Sequence, residues 1–284
     1  MTDVSASSAP PATPAAGSQA SRYQVITRQR HGAWHWQRPP HYGAAATVAL
    51  APLASFEIAV AALRLPLAFV QQAGRFVLVA VLGLPPARNL CVAPNGQWTG
   101  PYIPAVFRTA PFGLSRTPDG QQLLSIDEQA ARAAPADAAG SGEPFFAPDG
   151  SPAPLVAKVL EFLMQLDEGT RSMEKACAAL HSQGLLVPWH IAFDAADGTP
   201  ARPAQGLWRV DEAALRTLGA DALHALMQQG AVTLAYGQRF SMHNIGLLAE
   251  WARSQKPPPA PAIEPGIVQK LFDPAPSDTI QFNW

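Results

Sequence analysis

The chain is poor in cysteine, which limits the chemistry open to it. Only Cys91 and Cys177 occur among its 284 residues, and they lie far apart. Neither belongs to a C-x-x-C pair or to a spacing typical of a metal site. A disulfide scaffold and a thiolate zinc site are therefore disfavoured. We expect both residues to be buried small hydrophobic side chains in a reducing compartment.

The sequence also lacks an excess of charge of either sign. Lysine and arginine together number 20, aspartate and glutamate 21, and the formal net charge is −1. The isoelectric point is about 6.6. No overall electrostatic field would attract nucleic acid or an anionic membrane surface. We therefore expect no nucleic-acid partner, and no pattern in the sequence indicates a cofactor.

No segment is typical of a secretory signal or of a membrane span. Residues 1–20 have neither a basic start nor a continuous apolar stretch. The most apolar region, residues 44–70, contains Glu57 and Arg64 and is interrupted by prolines. Because a charge at the bilayer centre costs roughly 2.5–3.5 kcal/mol, we expect this region to form buried strands with a turn. A soluble, cytoplasmic protein is the corresponding expectation.

Motifs of known enzymes are missing. The chain has no phosphate-binding loop of Walker type, no G-x-S-x-G and no H-E-x-x-H. One cluster, HGAWHWQRPPH, contains His31, His35 and His41, and on a helix the first two would share a face that could bind a transition metal. Gly32 and two prolines argue against that helix, and no nearby carboxylate would support the ligands. We therefore expect polar residues at the rim of a sheet and no metal.

Composition divides the chain into three parts. Residues 1–21 are rich in Ala, Pro, Ser and Thr and are expected to be disordered, because they bury too little to offset the entropy of ordering. Hydrophobic residues make up 48% of the chain, enough for a single α+β domain over residues 22–255, with a loop or insertion at 128–153. Residues 256–284 begin with KPPPAPA, which is typical of an extended linker, and end in an apolar tail.

Patterns typical of β-strands dominate residues 22–127. The apolar runs LPLAFV and FVLVAVLGL are joined by residues 71–74, which predict a hairpin with glycine at a positive φ. A further strand, within NLCVAPNGQW, ends at Asn95-Gly96, a strong turn signal. This half of the chain therefore predicts a mostly antiparallel sheet.

Helical periodicity begins after the loop. Apolar side chains recur at helical spacing from Leu155 to Leu180. They predict one long helix, or two helices with a break near Gly169, and Gly184 lies where a helix end is expected. We expect the helices of this half to pack against the sheet of the first half.

The remaining elements are shorter. Residues 185–210 predict a second hairpin. Asp211 begins a short helix, and Asp221 could cap another that Gly230 ends. A last helix is expected over residues 231–253.

The segment NGQWTGPYIPAVFRTAPFGL, residues 95–114, combines rings and prolines around a single charge. Prolines suppress regular strand pairing, so we expect an irregular or edge-like structure stiffened by rings. The segment could form a groove for a peptide or a glycan, or it could pack as core across one end of the sheet. The candidate binding residues are Trp98, Tyr102, Pro104, Phe107, Arg108 and Phe112.

The same segment resembles the bacterial SapC family. The family pattern is an apolar strand pair followed by G-x-W, Y-I-P, an arginine and Pro-Phe. The chain matches this pattern with Trp98, Tyr102, Ile103, Pro104, Arg108, Pro111 and Phe112. The stretches GLWRVDEAALRTL and LHALMQQGAVTLAYGQRFSMHNIGLL are similar to the second half of the family. The resemblance covers roughly residues 22 to 253.

The resemblance implies a role without a defined mechanism. The family is named for a member encoded with genes for secretion of the surface-layer (S-layer) protein, and members look to be encoded near TonB-dependent receptors. We expect a non-enzymatic accessory protein that binds a polypeptide partner, a secretion or envelope component, through Trp98, Tyr102 and Arg108. The alternative is an enzyme or enzyme subunit acting on a peptide or sugar. Arg108 would then hold a carboxylate or phosphate near an acid such as Asp127 or Asp211.

The carboxyl tail keeps large apolar side chains beyond its proline-rich start. A merely solvating tail would not carry them, and residues 279–284 alternate polar and apolar as an edge strand does. We expect the tail to dock, on its own domain or on a partner, with Phe282 and Trp284 as anchors. A frayed terminus is the alternative.

Overall fold

The computed structural model of the protein describes residues 22–83, 88–117, 119–137, 142–191 and 205–254. Most of the strands precede residue 145 and form antiparallel sheets, and the longer helices follow it, which confirms the predicted α+β class. The strands are β1 (Tyr23–Val25), β2 (Trp34–Trp36), β3 (Leu50–Pro52), β4 (Leu67–Gln72), β5 (Arg75–Val81), β6 (Phe112–Arg116), β7 (Gln122–Asp127), β8 (Ala134–Pro135), β9 (Glu143–Pro144), β10 (Leu186–Pro188) and β11 (Leu207–Val210). The helices are α1 (Arg28–His31), α2 (Ile58–Arg64), α3 (Ala105–Arg108), α4 (Pro154–Ser182), α5 (Glu212–Arg216), α6 (Ala220–Gln228), α7 (Ala231–Ser241) and α8 (Gly246–Ser254).

The described strands form three antiparallel sheets. The largest has five strands in the order β10-β11-β4-β5-β3, and the other two have the orders β1-β7-β6 and β8-β2-β9. Leu186 lies opposite Val210, so β10 and β11 pair as predicted for residues 185–210. Strand β11 also pairs with β4. The second half of the chain therefore extends the sheet of the first half as well as covering it.

The hairpin predicted at residues 71–74 is confirmed. Gln72 lies opposite Arg75, and the two residues between them have positive φ angles, 47° at Ala73 and 79° at Gly74. A two-residue loop with both φ angles positive matches the right-handed twist of the flanking strands. Glycine at the second position therefore explains why the turn is so tight.

Helix α4 is one unbroken helix of 29 residues and packs against β5. Gly169 does not interrupt it. A Cβ atom at this position would lie 2.9 Å from the Cβ of Ala54 and 3.0 Å from Cδ1 of Phe56. The glycine is therefore present because the turn before α2 packs directly on the helix at this point.

Two hydrophobic clusters lie along α4. Met173, Cys177 and Leu180, from its C-terminal part, pack with the five-stranded sheet. Leu163, from its N-terminal part, packs in a second cluster with Trp36, Phe112 and Ile126 of the two smaller sheets and with Phe145, the residue after β9. The long helix thus connects the two halves of the interior. None of the helices in the described residues has the length and apolar character needed to cross a membrane.

The prediction of strands with a turn for residues 44–70 is wrong in its centre. Strand β3 and the start of β4 are present, but between them lie the 3₁₀ turn Ser55–Glu57 and helix α2. The buried residues of α2 recur at helical spacing, and α2 packs against α7. At that contact a Cβ on Gly237 would lie 2.7 Å from Cγ2 of Ile58. A short apolar run rich in alanine does not distinguish a strand from a helix by its pattern.

The last predicted helix, residues 231–253, is divided. Helix α7 ends at Ser241, the 3₁₀ turn Met242–Ile245 follows, and α8 begins at Gly246. The short helix predicted to begin at Asp211 is α5, and Asp211 caps it, since its carboxylate accepts from the backbone N–H of Ala213 and Ala214. Asp221 is not a cap, because α6 begins one residue earlier with Gly219 at the N-cap position.

The loop regions agree more closely with the sequence patterns. Gly96 has a φ of 82°, as the turn at Asn95-Gly96 requires, although the expected strand is reduced to a single bridge between Val92 and Trp98. In the described part of residues 128–153, the short strands β8 and β9 and a bridge between Phe146 and Pro152 are the β structure present. The disordered segment predicted at residues 1–21 and the linker with its apolar tail predicted at residues 256–284 lie outside the described residues, so the division into domains stays a prediction.

Candidate functional site

A buried glutamate ties the aromatic segment to the turn before α2. Glu57 is 1% exposed, and one of its carboxylate oxygens, Oε1, accepts from the Tyr102 hydroxyl at 2.8 Å and from the Ala105 N–H at 2.7 Å. The other oxygen, Oε2, accepts from the Ala54 N–H at 2.9 Å. The carboxylate therefore satisfies donors from two segments about fifty residues apart. We call this arrangement the Glu57 junction.

The two backbone donors of the junction belong to helix starts. The first N–H groups of a helix have no partner within the helix, and Ala105 is the first residue of α3. Ala54 immediately precedes the turn that leads into α2. Glu57 therefore supplies the acceptor that both chain segments need. Burial raises the pKa of Tyr102, and the nearby Glu57 carboxylate raises it further, so this phenol stays a hydrogen-bond donor.

Arg108 lies at the surface, held between two rings. The Cζ atom of its guanidinium group is 5.2 Å from the ring centre of Phe162 and 5.9 Å from that of Tyr102. One nitrogen, Nη2, is 3.5 Å from the Tyr102 hydroxyl. No carboxylate among the described residues lies within salt-bridge distance of it. We call Arg108, Tyr102 and Phe162 the Arg108 clamp. The rings orient the guanidinium group, and no acidic side chain among the described residues neutralises its charge.

The other candidate binding residues are more buried than Arg108. Trp98 packs between Tyr42 and Phe107, with ring centres 5.7 Å and 5.5 Å away, and its indole nitrogen is buried without a hydrogen-bond partner in the described structure. Pro104 is buried. Trp98, Tyr102 and Phe107 all pack against the hydrophobic cluster of the five-stranded sheet, which we call the main cluster. Most of the segment therefore lies across the sheet as partly buried core, which was one of the two alternatives.

Phe112 lies in a different part of the molecule. It is 2% exposed and belongs to the second cluster, where its ring meets Trp36 edge-on at 4.6 Å between centres. The structure thus brings Trp98, Tyr102, Phe107 and Arg108 together and separates Phe112 from them.

An exposed apolar surface lies next to the Arg108 clamp, and the sequence patterns did not indicate it. Phe56, Val60 and Leu63 share one side of α2 and its preceding turn, and they are 37%, 45% and 78% exposed. We call these three residues the α2 face. The ring centre of Phe56 is 6.4 Å from that of Phe162, so the face continues into the clamp. With residues 44–70 interpreted as strands, no outward helical face was expected.

An open groove of about 470 Å³ borders the other end of the α2 face. Its lining residues are Leu63, Arg64, Pro101, Asn244 and Leu247. The Asn244 side chain donates to the carbonyl oxygens of Ala62 and Leu65. This contact fixes the turn before α8 to the end of α2. The groove and the α2 face therefore form one surface with the clamp.

The three histidines considered as metal ligands have separate environments. His31 is fully buried rather than at the rim, and its Nδ1 accepts from the Thr27 N–H at 3.2 Å while Nε2 lies 3.1 Å from the Glu128 carboxylate. His35 lies on β2, and His41 accepts from the Gly43 N–H. In the part of the chain that the structure describes, no three metal-ligating side chains converge on a point.

Glu128, which the sequence patterns did not single out, joins α1 to the second cluster. It receives two hydrogen bonds from Arg30, at 2.6 and 2.8 Å, besides its contact with His31. The hydrogen bond from Arg30 lowers the pKa of Glu128, and His31 adds to this effect. We call this arrangement the Glu128 junction.

The acids proposed to accompany Arg108 have other contacts. Asp127 pairs with Arg22 at 2.9 Å and accepts from the Ala130 N–H, and Asp211 caps α5. Both cysteines are buried and free, as predicted, and burial raises the pKa of Cys91 and of Cys177 to about 12. Neither thiol is therefore a thiolate nucleophile near neutral pH. The predicted tail anchors Phe282 and Trp284 lie outside the described residues.

These features define an α+β domain with an exposed, aromatic-supported arginine beside an apolar helix face. The family model of SapC matches residues 26–248, which includes the Glu57 junction, the clamp and the groove. The chain therefore belongs to the SapC family. No curated protein matches the chain, and no solved structure does.

Proposed function

We propose that the protein is a non-enzymatic, cytoplasmic accessory protein that binds a polypeptide partner in the production or export of surface-layer or other envelope material. The observation that supports it best is the Arg108 clamp. An exposed guanidinium group with two ring contacts and no described acidic partner is preorganised to receive a carboxylate. The adjacent α2 face would receive apolar side chains of the same partner.

The contacts proposed for the partner differ from those expected on sequence grounds. Trp98 packs on the main cluster, so its replacement would disturb folding as well as binding. Arg108 is exposed and its described contacts are two rings and a 3.5 Å approach to the Tyr102 hydroxyl, so its replacement should affect binding more than folding. Membership of the SapC family supports the envelope setting through the family's name and nothing more specific.

An enzyme acting on a peptide or sugar around Arg108 would need further polar groups directed at a substrate. The nearest hydroxyl, on Tyr102, already donates to Glu57, and the other neighbour of the guanidinium group is the ring of Phe162. This arrangement favours recognition of a carboxylate over its chemical conversion.

The test is recovery of an envelope or secretion component from cells of the source organism with the full chain as bait. Arg108→Gln should weaken binding of that component at least tenfold, the loss of about 1.4 kcal/mol expected for one charge-assisted hydrogen bond. Arg75→Gln is the matched control, because Arg75 is exposed at the tip of the β4–β5 hairpin. Recovery of no such component, or equal recovery with Arg108→Gln, would contradict the proposal.

A further inference from the structure

The α2 face and its groove form an apolar surface without a cover in the described structure. Leu63 is 78% exposed and Val60 45%, and Leu63 also lines the groove with Pro101 and Leu247. Contiguous apolar surface on a folded domain usually marks a place where another segment binds.

Two arginines border this surface. Arg108 lies at one end, beside Phe162, and Arg64 lines the groove at the other. Both are exposed, and neither has an acidic partner within salt-bridge distance among the described residues. An occupant of matching chemistry would therefore carry apolar side chains between or beside carboxylates.

One segment of this chain has that composition. Residues 263–273 read IEPGIVQKLFD, with Glu264 and Asp273 near the two ends. Between them, the four large apolar residues have the spacing of one side of a helix. They are Ile267, Val268, Leu271 and Phe272.

The connection to this segment is long enough to bring it back to the groove. Leu247, near the start of α8, lines the groove, and α8 ends at Ser254, so its end lies about 11 Å farther along at 1.5 Å per residue. The next stretch, residues 255–262, reads QKPPPAPA. In the extended polyproline conformation it spans about 25 Å at 3.1 Å per residue. The segment after it can therefore reach the whole α2 face.

We propose that residues 263–273 bind in cis to the α2 face and its groove, with Leu271 and Phe272 covering Val60 and Leu63. The two flanking carboxylates neutralise Arg108 and Arg64. Docking of the tail does not depend on the proposed function. Competition does rest on it: if the Arg108 clamp binds an envelope partner, the tail competes with that partner for the same surface.

A photo-crosslinking experiment on the full chain tests the contact. Phe272 is replaced by p-benzoylphenylalanine, and crosslinked peptides are mapped by mass spectrometry after irradiation. We expect intrachain crosslinks to residues 56–64 or to Leu247, and a loss of at least tenfold when Leu63→Glu is added. Met227→Glu is the matched control, since Met227 is a 64% exposed apolar residue on α6; it should leave the crosslinks unchanged.

Three results would overturn the proposal. Crosslinks scattered over the surface would show that the segment has no fixed site. Crosslinks between two chains, appearing as a dimer on a denaturing gel, would assign the face to a second copy. Equal crosslinking in the Leu63→Glu chain would place the segment elsewhere.

Hydrogen exchange gives an independent readout. In the full chain, Leu271→Glu combined with Phe272→Glu should raise amide exchange in residues 58–64 at least tenfold and leave the β4–β5 hairpin unchanged. Unchanged exchange in α2 would overturn the proposal. Both measurements use purified protein without a partner. Tail docking can therefore hold when no envelope component is recovered, and partner binding can hold when the tail does not dock. If both proposals hold, the same double variant should increase partner recovery.

Discussion

The chain uses a glutamate at two junctions between distant segments, and the junctions are built differently. Glu57 is 1% exposed and accepts from two backbone N–H groups and a hydroxyl. The side chain of Glu128 is 20% exposed and receives a charged arginine and a histidine. Removing the first carboxylate leaves three donors without an acceptor. Removing the second frees an exposed arginine and leaves one buried ring nitrogen, Nε2 of His31, without its partner. The Glu57 junction should therefore contribute more to stability, although it contains no ion pair.

The largest expected effect is at the Glu57 junction. Glu57→Ala strands three donors, and each buried unsatisfied donor costs about 1–3 kcal/mol. We expect the free energy of unfolding to fall by roughly 3–5 kcal/mol in urea titrations. Glu161→Ala, at an exposed position of α4, is the control and should change it by less than about 0.5 kcal/mol. If Glu57→Ala lowered the free energy of unfolding by less than about 1 kcal/mol, water would be replacing the carboxylate. The Glu57 junction would then not be the more stabilising of the two.

A smaller effect should follow from filling the space behind the junction. Gly169→Ala places a Cβ 2.9 Å from the Cβ of Ala54, and overpacking of this kind costs about 1–3 kcal/mol. Alanine regains about 1 kcal/mol of helix propensity, so we expect a net loss of about 1 kcal/mol by thermal or urea unfolding. Gly246→Ala, which meets no atom within 4 Å, should be neutral or stabilising. A stabilised Gly169→Ala chain would show that the turn before α2 can move.

The smallest expected effect is at the Glu128 junction, where it depends on pH. The pKa of Glu128 is lowered from 4.5 in the folded protein, so its contribution is present above that pH and is lost as pH falls through the folded pKa. Glu128→Gln should lower stability by about 0.5–1 kcal/mol at pH 7. The difference from the unmodified chain should vanish in acid, below the depressed pKa. The measurement is urea titration at several pH values, with Glu161→Gln as control. A stability difference between Glu128→Gln and the unmodified chain that did not change with pH would contradict this prediction.

Local patterns were sufficient where one short segment determines its own conformation. The hairpin at Ala73-Gly74 needs positive φ angles that glycine favours, and Asp211 caps α5 through donors two and three residues away. The apolar period of residues 155–180 predicted a helical segment, and it left open whether Gly169 breaks that segment. These features could be predicted because their causes lie within a few residues.

The candidate site could be predicted only in part. Arg108 and the aromatic residues around it were identified from their composition and from the SapC resemblance. Glu57 was considered only as an obstacle to a membrane span, because its partners Tyr102 and Ala105 lie 45 and 48 residues away. The α2 face was missed because alanine-rich apolar runs fit a strand as well as a helix.

The sequence by itself determined the α+β class, the first hairpin, the helical pattern of residues 155–180 and membership of the SapC family, since each depends on periodicity, turn chemistry or a local motif. Only the tertiary structure decided which aromatic residues became core and that Arg108 stays exposed. It also decided that Glu57 receives donors from two segments and that the α2 face points outward. These outcomes depend on contacts between residues far apart in the chain, where burial and donor satisfaction override local preference.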